Sequence, residues 1–80
     1  MTDVRLLYFA SLRDAAGRSE ETWQTTAPDL RALYAEVRAQ HGFALPAERL
    51  RVAVDGAFAR WDDAVRGDSE IAFIPPVSGG

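Results

Sequence analysis

The amino-acid sequence predicts one α+β domain, residues 1–80, in which a mixed β-sheet packs against one long helix. Eighty residues, 48% of them hydrophobic and none of them cysteine, allow a single core without disulfide support. One segment, 30–41, repeats apolar residues with the helical period. Segments with strand-like patterns lie on both sides of it, which favours a sheet over a helical bundle.

The long helix has clear signals at both ends. Asp29 is a good N-cap and Gly42 a good helix stop. Its apolar positions are spaced at i, i+3, i+4 and i+7, which predicts one buried stripe: Leu30, Leu33, Tyr34 and Val37.

The remaining elements are short. Asp55-Gly56 is a type I′ turn signal and predicts a hairpin. The predicted elements are strand 4–9, a short helix 11–16 ending at Gly17, strand 20–25, strands 51–55 and 57–60, and strand 70–74. Two strands, a helix, two strands and a last strand form the order of the β-grasp fold, as in ubiquitin-like domains.

The first and last strands are apolar on both faces, although only one long helix is available to cover the sheet. In a β-grasp fold these strands are neighbours. Four residues then form an apolar patch on the uncovered face, namely Leu7, Phe9, Ala72 and Ile74. Such a patch is typical of a protein interface. The alternative is that the loop 43–49 folds over it.

The chain ends in Ser78-Gly79-Gly80 after two prolines, Pro75 and Pro76. Proline restricts the backbone, and glycine passes through channels too narrow for side chains. We therefore expect residues 75–80 to form a flexible tail that enters a partner's active site, with the Gly80 carboxylate as the reactive group. The alternative is that Ser-Gly-Gly is a frayed end or the place where the chain was cut artificially.

Composition argues against several other functions. A net charge of −3 and a pI near 4.9 disfavour nucleic acid as a partner. The sequence has no signal-peptide pattern and no apolar run of membrane-spanning length, so we expect a cytoplasmic protein without a membrane partner. All nine basic residues are arginine, so an internal lysine cannot act as a nucleophile or as an acceptor for conjugation.

No internal catalytic set is predicted. His41 is the only histidine and lies at a helix C-terminus, where a structural role is expected. Glu20 and Glu21 are expected to be solvated on an exposed strand. We expect no metal site and no bound cofactor.

Three segments carry a resemblance to a known family, namely residues 8–14 (YFASLRD), 52–56 (VAVDG) and 70–80 (EIAFIPPVSGG). They resemble the small subunits of molybdopterin synthase, which are ubiquitin-like sulfur carriers. The similarity covers essentially the whole chain, and its most specific part is the motif Phe-x-Pro-Pro-Val-x-Gly-Gly. Ile74, Asp55 and the segment 67–70 depart from the usual family pattern.

The resemblance implies that a ubiquitin-activating-type enzyme uses ATP to adenylate Gly80, which then becomes a thiocarboxylate. The tail would enter the large synthase subunit, in an expected heterotetramer, and give its sulfur to cyclic pyranopterin monophosphate. Carried over by position, Gly79 and Gly80 thread the active site. The expected partner-facing residues are Leu7, Phe9, Arg13, Ala72, Ile74, Pro75, Pro76, Val77 and Ser78.

Three other functions stay open at this point. A sulfur carrier for thiamin thiazole synthesis has a similar tail, although thiamin carriers tend to be shorter and lack the double proline. A ubiquitin-like modifier would form conjugates with lysines of target proteins. A pure interaction module would use the apolar patch alone.

Overall fold

A computed structural model describes residues 1–76 of the chain. The elements are β1 (Thr2–Tyr8), α1 (Ala10–Ala16), β2 (Glu20–Thr25), α2 (Leu30–His41), a 3₁₀ turn (Ala47–Arg49), β3 (Arg51–Val54), β4 (Ala57–Ala59) and β5 (Glu70–Ile74). All of the predicted helices and strands are present, with ends that differ by one or two residues.

The five strands form one mixed sheet in the order β2-β1-β5-β3-β4. β1 pairs parallel with β5, and the other neighbours pair antiparallel. The first and last strands therefore lie side by side at the centre of the sheet, as the sequence predicts. This is the β-grasp topology.

The helix α2 covers one face of this sheet. Its N-cap is Asp29, whose carboxylate accepts a hydrogen bond from the Ala32 amide at 2.8 Å. Gly42 ends the helix with φ of 73°, in the left-handed region that favours glycine. The predicted stripe is fully buried: Leu30, Leu33, Tyr34 and Val37.

Along each strand, side chains alternate between the face that α2 covers and the uncovered face, as expected of a sheet with a helix on one side. Val4, Leu6 and Tyr8 of β1 face the helix and are buried, while Arg5 points to the other side. On β5 the helix-facing residues are Ile71 and Phe73, both completely buried. The same alternation leaves Leu7, Ala72 and Ile74 on the face that α2 does not cover.

The loop 43–49 packs at the helix side of the sheet. Phe43 is buried and stacks on Tyr34 with ring centroids 6.3 Å apart, and Tyr34 donates a hydrogen bond to the Leu45 carbonyl at 2.6 Å. These contacts hold the loop against α2. It does not cover the apolar patch, which excludes the alternative stated for this loop.

One expectation about charged residues is wrong. Glu21 is not solvated: its side chain is only 13% exposed and lies between Tyr8, which donates a hydrogen bond to it, and His41, whose Nε2 is 2.6 Å from Glu21 Oε2. Glu21 lies on the helix-facing side of an edge strand, next to the C-terminal end of α2. The contact joins β1, β2 and α2, and it gives His41 a structural role.

The β3–β4 hairpin turns at Asp55-Gly56, as predicted. Both residues have positive φ, 51° and 87°, which is the type I′ geometry. The Asp55 carboxylate accepts a hydrogen bond from the Glu70 amide at 2.9 Å, and the Asp55 amide donates one to the Glu70 carbonyl at 2.8 Å. The turn is thereby tied to the start of β5.

No helix in the stretch 1–76 is both long enough and apolar enough to span a bilayer.

Candidate functional site

The uncovered face of the sheet carries a row of apolar side chains across four strands. Leu7 lies opposite Ala72 in the β1–β5 pair, Ala72 lies opposite Ala53 in the β5–β3 pair, and Ala53 lies opposite Phe58 in the hairpin. The two alanines form a floor between two larger side chains. A groove of about 260 Å³ follows this row.

The row continues toward the end of β5. Tyr8 and Phe73 are the last residues of the β1–β5 pairing; Phe9 directly follows β1, and Ile74 is the last residue of β5. Both line the groove. We call the apolar residues of this surface the open face: Leu7, Phe9, Ala53, Phe58, Ala72 and Ile74.

The two large aromatic residues of the open face are exposed, Phe9 to 44% and Phe58 to 69%. Phe9 is the N-cap of α1, and the next residue, Ala10, has φ of 50°. A left-handed alanine costs about 1–2 kcal/mol relative to an ordinary conformation. This turn takes the chain out of the strand directly after Phe9.

Two prolines follow β5 at the end of the open face. Pro75, the first residue after β5, is buried in the monomer, whereas Pro76 is exposed. The partner-facing role expected of Pro75 and Pro76 stays a prediction. Val77, Ser78, Gly79 and Gly80, which were predicted as tail and active-site residues, lie outside the described residues.

Charged residues surround the apolar row. Arg5 and Glu70 lie opposite each other and form an ion pair at 3.6 Å. Arg51, at the start of β3, places its guanidinium carbon 5.5 Å from the centroid of the Phe58 ring. Arg13, which was predicted to face a partner, is exposed on α1 and is not among the residues that line the groove.

The sequence reasoning missed three residues of this surface: Arg51, Ala53 and Phe58. The signal was present in the hairpin. Because Val52 and Val54 are core positions, Ala53 has to point the other way, and a two-residue turn at Asp55-Gly56 places Phe58 opposite it.

A larger groove, of about 530 Å³, lies on the helix side of the molecule. Its two arginines are engaged within the domain. Arg31 pairs with Glu48 at 3.3 Å, and Arg38 donates hydrogen bonds to the carbonyls of Phe43 and Ala44. This groove lies between α2 and the loop that follows it, and the sheet separates it from the open face.

Hydrogen bonding explains the titration behaviour of the Tyr8–Glu21–His41 cluster. Burial by itself raises the pKa of the Glu21 carboxyl. Hydrogen bonds from Tyr8 and His41, together with the charges of His41 and Arg18, outweigh that effect and hold the pKa below its ordinary value. Burial and the Glu21 carboxylate raise the pKa of the Tyr8 hydroxyl. The cluster lies on the helix side and stabilises the fold.

The open face lies beside the C-terminal end of β5, the strand that precedes the diglycine sequence of the chain. The ThiS family model matches residues 6–80. The chain belongs to the ThiS family. The match includes the diglycine end of the sequence, residues 6–8 of β1 and all of β5.

Two relatives of this ThiS-family chain carry the same description. The molybdopterin synthase sulfur carrier subunit of Escherichia coli (strain K12) is 30% identical over 80 residues, covering 96% of this chain and 99% of the relative. The subunit of the same name from Mycosarcoma maydis is 37% identical over 86 residues, covering 96% of this chain and 92% of the relative. The resemblance to the small subunits of molybdopterin synthase is thereby confirmed.

Solved structures show the same fold. SAMP1 from Haloferax volcanii superposes with a TM-score of 0.81 at 22% identity, covering 98% of this chain and 99% of SAMP1. A chain from a complex of subunits 1 and 2 of molybdopterin-converting factor from Helicobacter pylori superposes with a TM-score of 0.68 at 19% identity, covering 99% and 100% of the two chains. These likenesses confirm the predicted β-grasp, ubiquitin-like fold.

Proposed function

We propose that this protein is the sulfur carrier subunit of a molybdopterin synthase. The observation that carries the proposal is the continuity of the open face with the end of β5, from which the sequence Val77-Ser78-Gly79-Gly80 extends. Relatives of 30% and 37% identity bear the name of molybdopterin synthase sulfur carrier subunit and match nearly end to end.

The reactive group in this proposal is the carboxylate of Gly80. A carboxylate is a poor electrophile, so it has to be activated before sulfur can be attached. An adenylating enzyme of the ubiquitin-activating type would form an acyl adenylate from ATP with release of pyrophosphate. A sulfur nucleophile would then displace AMP and lead to the C-terminal thiocarboxylate. The protein needs no bound cofactor for this role.

Delivery of the sulfur depends on docking. A large synthase subunit would cover the open face, and the tail would enter its active site and give sulfur to cyclic pyranopterin monophosphate. Four residues, 77–80, span at most about 14 Å when extended. The site of sulfur transfer in the partner therefore lies within about 14 Å of Pro76. The solved complex of subunits 1 and 2 from Helicobacter pylori supports a partner of this kind.

The division of chemistry between two subunits agrees with the residues present. Among residues 1–76 there is no cluster of three or more histidine, cysteine or acidic residues placed to bind a metal ion. The Tyr8–Glu21–His41 cluster of titratable side chains lies on the helix side of the sheet, where it stabilises the fold. This chain presents a tail and a docking surface, and the partner supplies the catalytic groups.

Reconstitution tests the proposal. The chain, loaded with sulfur at its C-terminus, is mixed with the large-subunit homologue from the same organism and cyclic pyranopterin monophosphate. We expect molybdopterin to form in proportion to the loaded chain. A chain lacking Gly80 is the matched control, and we expect it to fold and give no product. Product from the truncated chain, or none from the loaded chain, would contradict the proposal.

A further inference from the structure

We propose that Arg51, at the edge of the open face, is a specificity-determining residue that selects a protein partner presenting a carboxylate beside the C-terminal end of β5. The inference rests on the proposed function and adds the chemistry of the partner surface. It arises from the position of one cation at the edge of an apolar surface.

Arg51 lies between two apolar side chains that a partner has to cover. It is directly opposite Ile74 in the β3–β5 pair, and its guanidinium carbon is 5.5 Å from the centroid of the Phe58 ring. Ile74 is the last residue of β5, and Phe58 is the most exposed aromatic side chain of the open face. A partner that buries both of these residues also removes water from Arg51.

The charge on Arg51 is not compensated within the described part of the chain. The other arginine of this surface, Arg5, has Glu70 at 3.6 Å. No carboxylate in residues 1–76 lies within ion-pair distance of the Arg51 guanidinium. The charges beside the open face therefore differ: Arg5 and Glu70 form a pair with no net charge, whereas Arg51 carries a single positive charge.

When a partner docks, the buried charge of Arg51 requires a compensating group on that partner. A guanidinium does not lose its proton at physiological pH, so it cannot avoid the cost of burial by becoming neutral. The Phe58 ring attracts the cation but accepts no strong hydrogen bonds from it. A charge that is buried without a partner is strongly unfavourable, whereas a carboxylate restores both the charge balance and the hydrogen bonds.

The geometry also favours a carboxylate over a neutral acceptor. A guanidinium near an aromatic ring is held in one region of space, and its planar set of N–H donors matches the two oxygens of a carboxylate. A phosphate backbone would offer similar oxygens, but the net charge of −3 opposes nucleic acid. The occupant is therefore an acidic patch of a protein.

The test compares Arg51→Met with wild-type protein in binding to the large-subunit homologue, at several salt concentrations. We expect Arg51→Met to weaken the complex by about 30-fold or more, because the partner's carboxylate is left buried without its cation. We also expect a weaker dependence of affinity on salt. Arg51→Lys should recover only part of the affinity, because lysine keeps the charge without the planar donors.

Arg31→Met is the matched control, since Arg31 lies on α2, on the covered side of the sheet, and its loss changes the net charge equally. If the wild-type chain binds the large-subunit homologue, and Arg51→Met and Arg31→Met bind it with equal affinity, the inference is overturned and the proposed function stays intact. No binding by the wild-type chain would overturn both. The ratio of affinities between wild type and Arg51→Met should persist in chains that end at Pro76 with an amidated C-terminus, which adds no new carboxylate near Arg51. Loss of the ratio there would assign the carboxylate to the chain's own end and overturn the inference.

Discussion

Leu7 and Ala72 lie directly opposite each other in the parallel β1–β5 pair, on the face of the sheet that α2 leaves uncovered. The pair joins the first strand of the chain to the last, just before the sequence runs into its diglycine end. The same strand, β5, thus contributes to the surface that would bind a partner and precedes the segment that would enter that partner.

Replacing Phe58 with alanine should weaken partner binding with little effect on folding. The side chain is 69% exposed in the monomer, so its removal should change the free energy of unfolding by less than about 0.5 kcal/mol. An aromatic anchor at the centre of an interface contributes about 2 kcal/mol or more on truncation. Titration calorimetry with the large-subunit homologue and urea unfolding of the free chain measure the two quantities. A large loss of stability with unchanged affinity would contradict the assignment.

Ile74→Arg should disrupt the same complex, because it places a charge at the end of the open face. Ile74 is half-buried on the uncovered side, so the arginine head can reach water in the free monomer. Ala39→Arg is the control, since Ala39 is exposed on α2 and lines the groove on the covered side. Gel filtration of each variant with the partner gives the result. Unfolding of the Ile74→Arg monomer would show that this residue belongs to the core instead.

Gly56→Ala should destabilise the protein by about 1–2 kcal/mol, because Gly56 has φ of 87° and alanine is strained there. A Cβ at this position meets no atom within 4 Å, so the cost comes from the backbone alone. Gly67→Ala is the matched control. Its Cβ would meet only a Thr2 methyl at 3.7 Å, and its φ is outside the positive range. Equal denaturant midpoints for the two variants would contradict the turn geometry.

Stability should fall on acidification in a way that depends on Glu21. The pKa of its carboxyl is below the ordinary value in the folded protein, so the unfolded chain binds protons more readily. The contribution of Glu21 to stability is therefore complete above the ordinary pKa of a glutamate, about 4, and is lost as the pH falls through the folded-state pKa. Glu21→Gln should cost about 1–3 kcal/mol at neutral pH, and the difference from wild type should shrink in acid.

Thermal unfolding over a pH series measures this effect. Glu20→Gln is the control, because Glu20 is the neighbouring residue on the edge strand and is exposed. We expect its unfolding profile to follow that of the wild type at every pH. Parallel profiles for wild type and Glu21→Gln would show that the contacts to Tyr8 and His41 contribute nothing that depends on charge.

The sequence predicted the fold because its local signals agree with one another. The Asp29 cap, the apolar stripe of α2 and the Asp55-Gly56 turn each act over a few residues, and each is found as predicted. The uncovered apolar patch also followed from the sequence. Two strands with apolar residues on both faces and a single long helix leave one face without cover.

What the sequence did not reveal depends on tertiary contacts. The sequence around Glu21 predicts a solvated residue. In the structure α2 places His41 beside it, a contact between residues far apart in the chain. The burial of Pro75 and the position of the Arg51 guanidinium over the Phe58 ring likewise depend on how β5 and the hairpin pack. The roles of Gly79 and Gly80 remain predictions, because these residues lie beyond the described part of the chain.

The most direct test of the central claim is the intact mass of the chain, tagged at its N-terminus and isolated from its native host together with the proteins that bind it. The account predicts a population in which one oxygen of the C-terminal carboxylate is replaced by sulfur, along with a co-purifying large subunit. An unmodified C-terminus, found together with conjugates to lysines of other proteins, would contradict it and indicate a protein modifier.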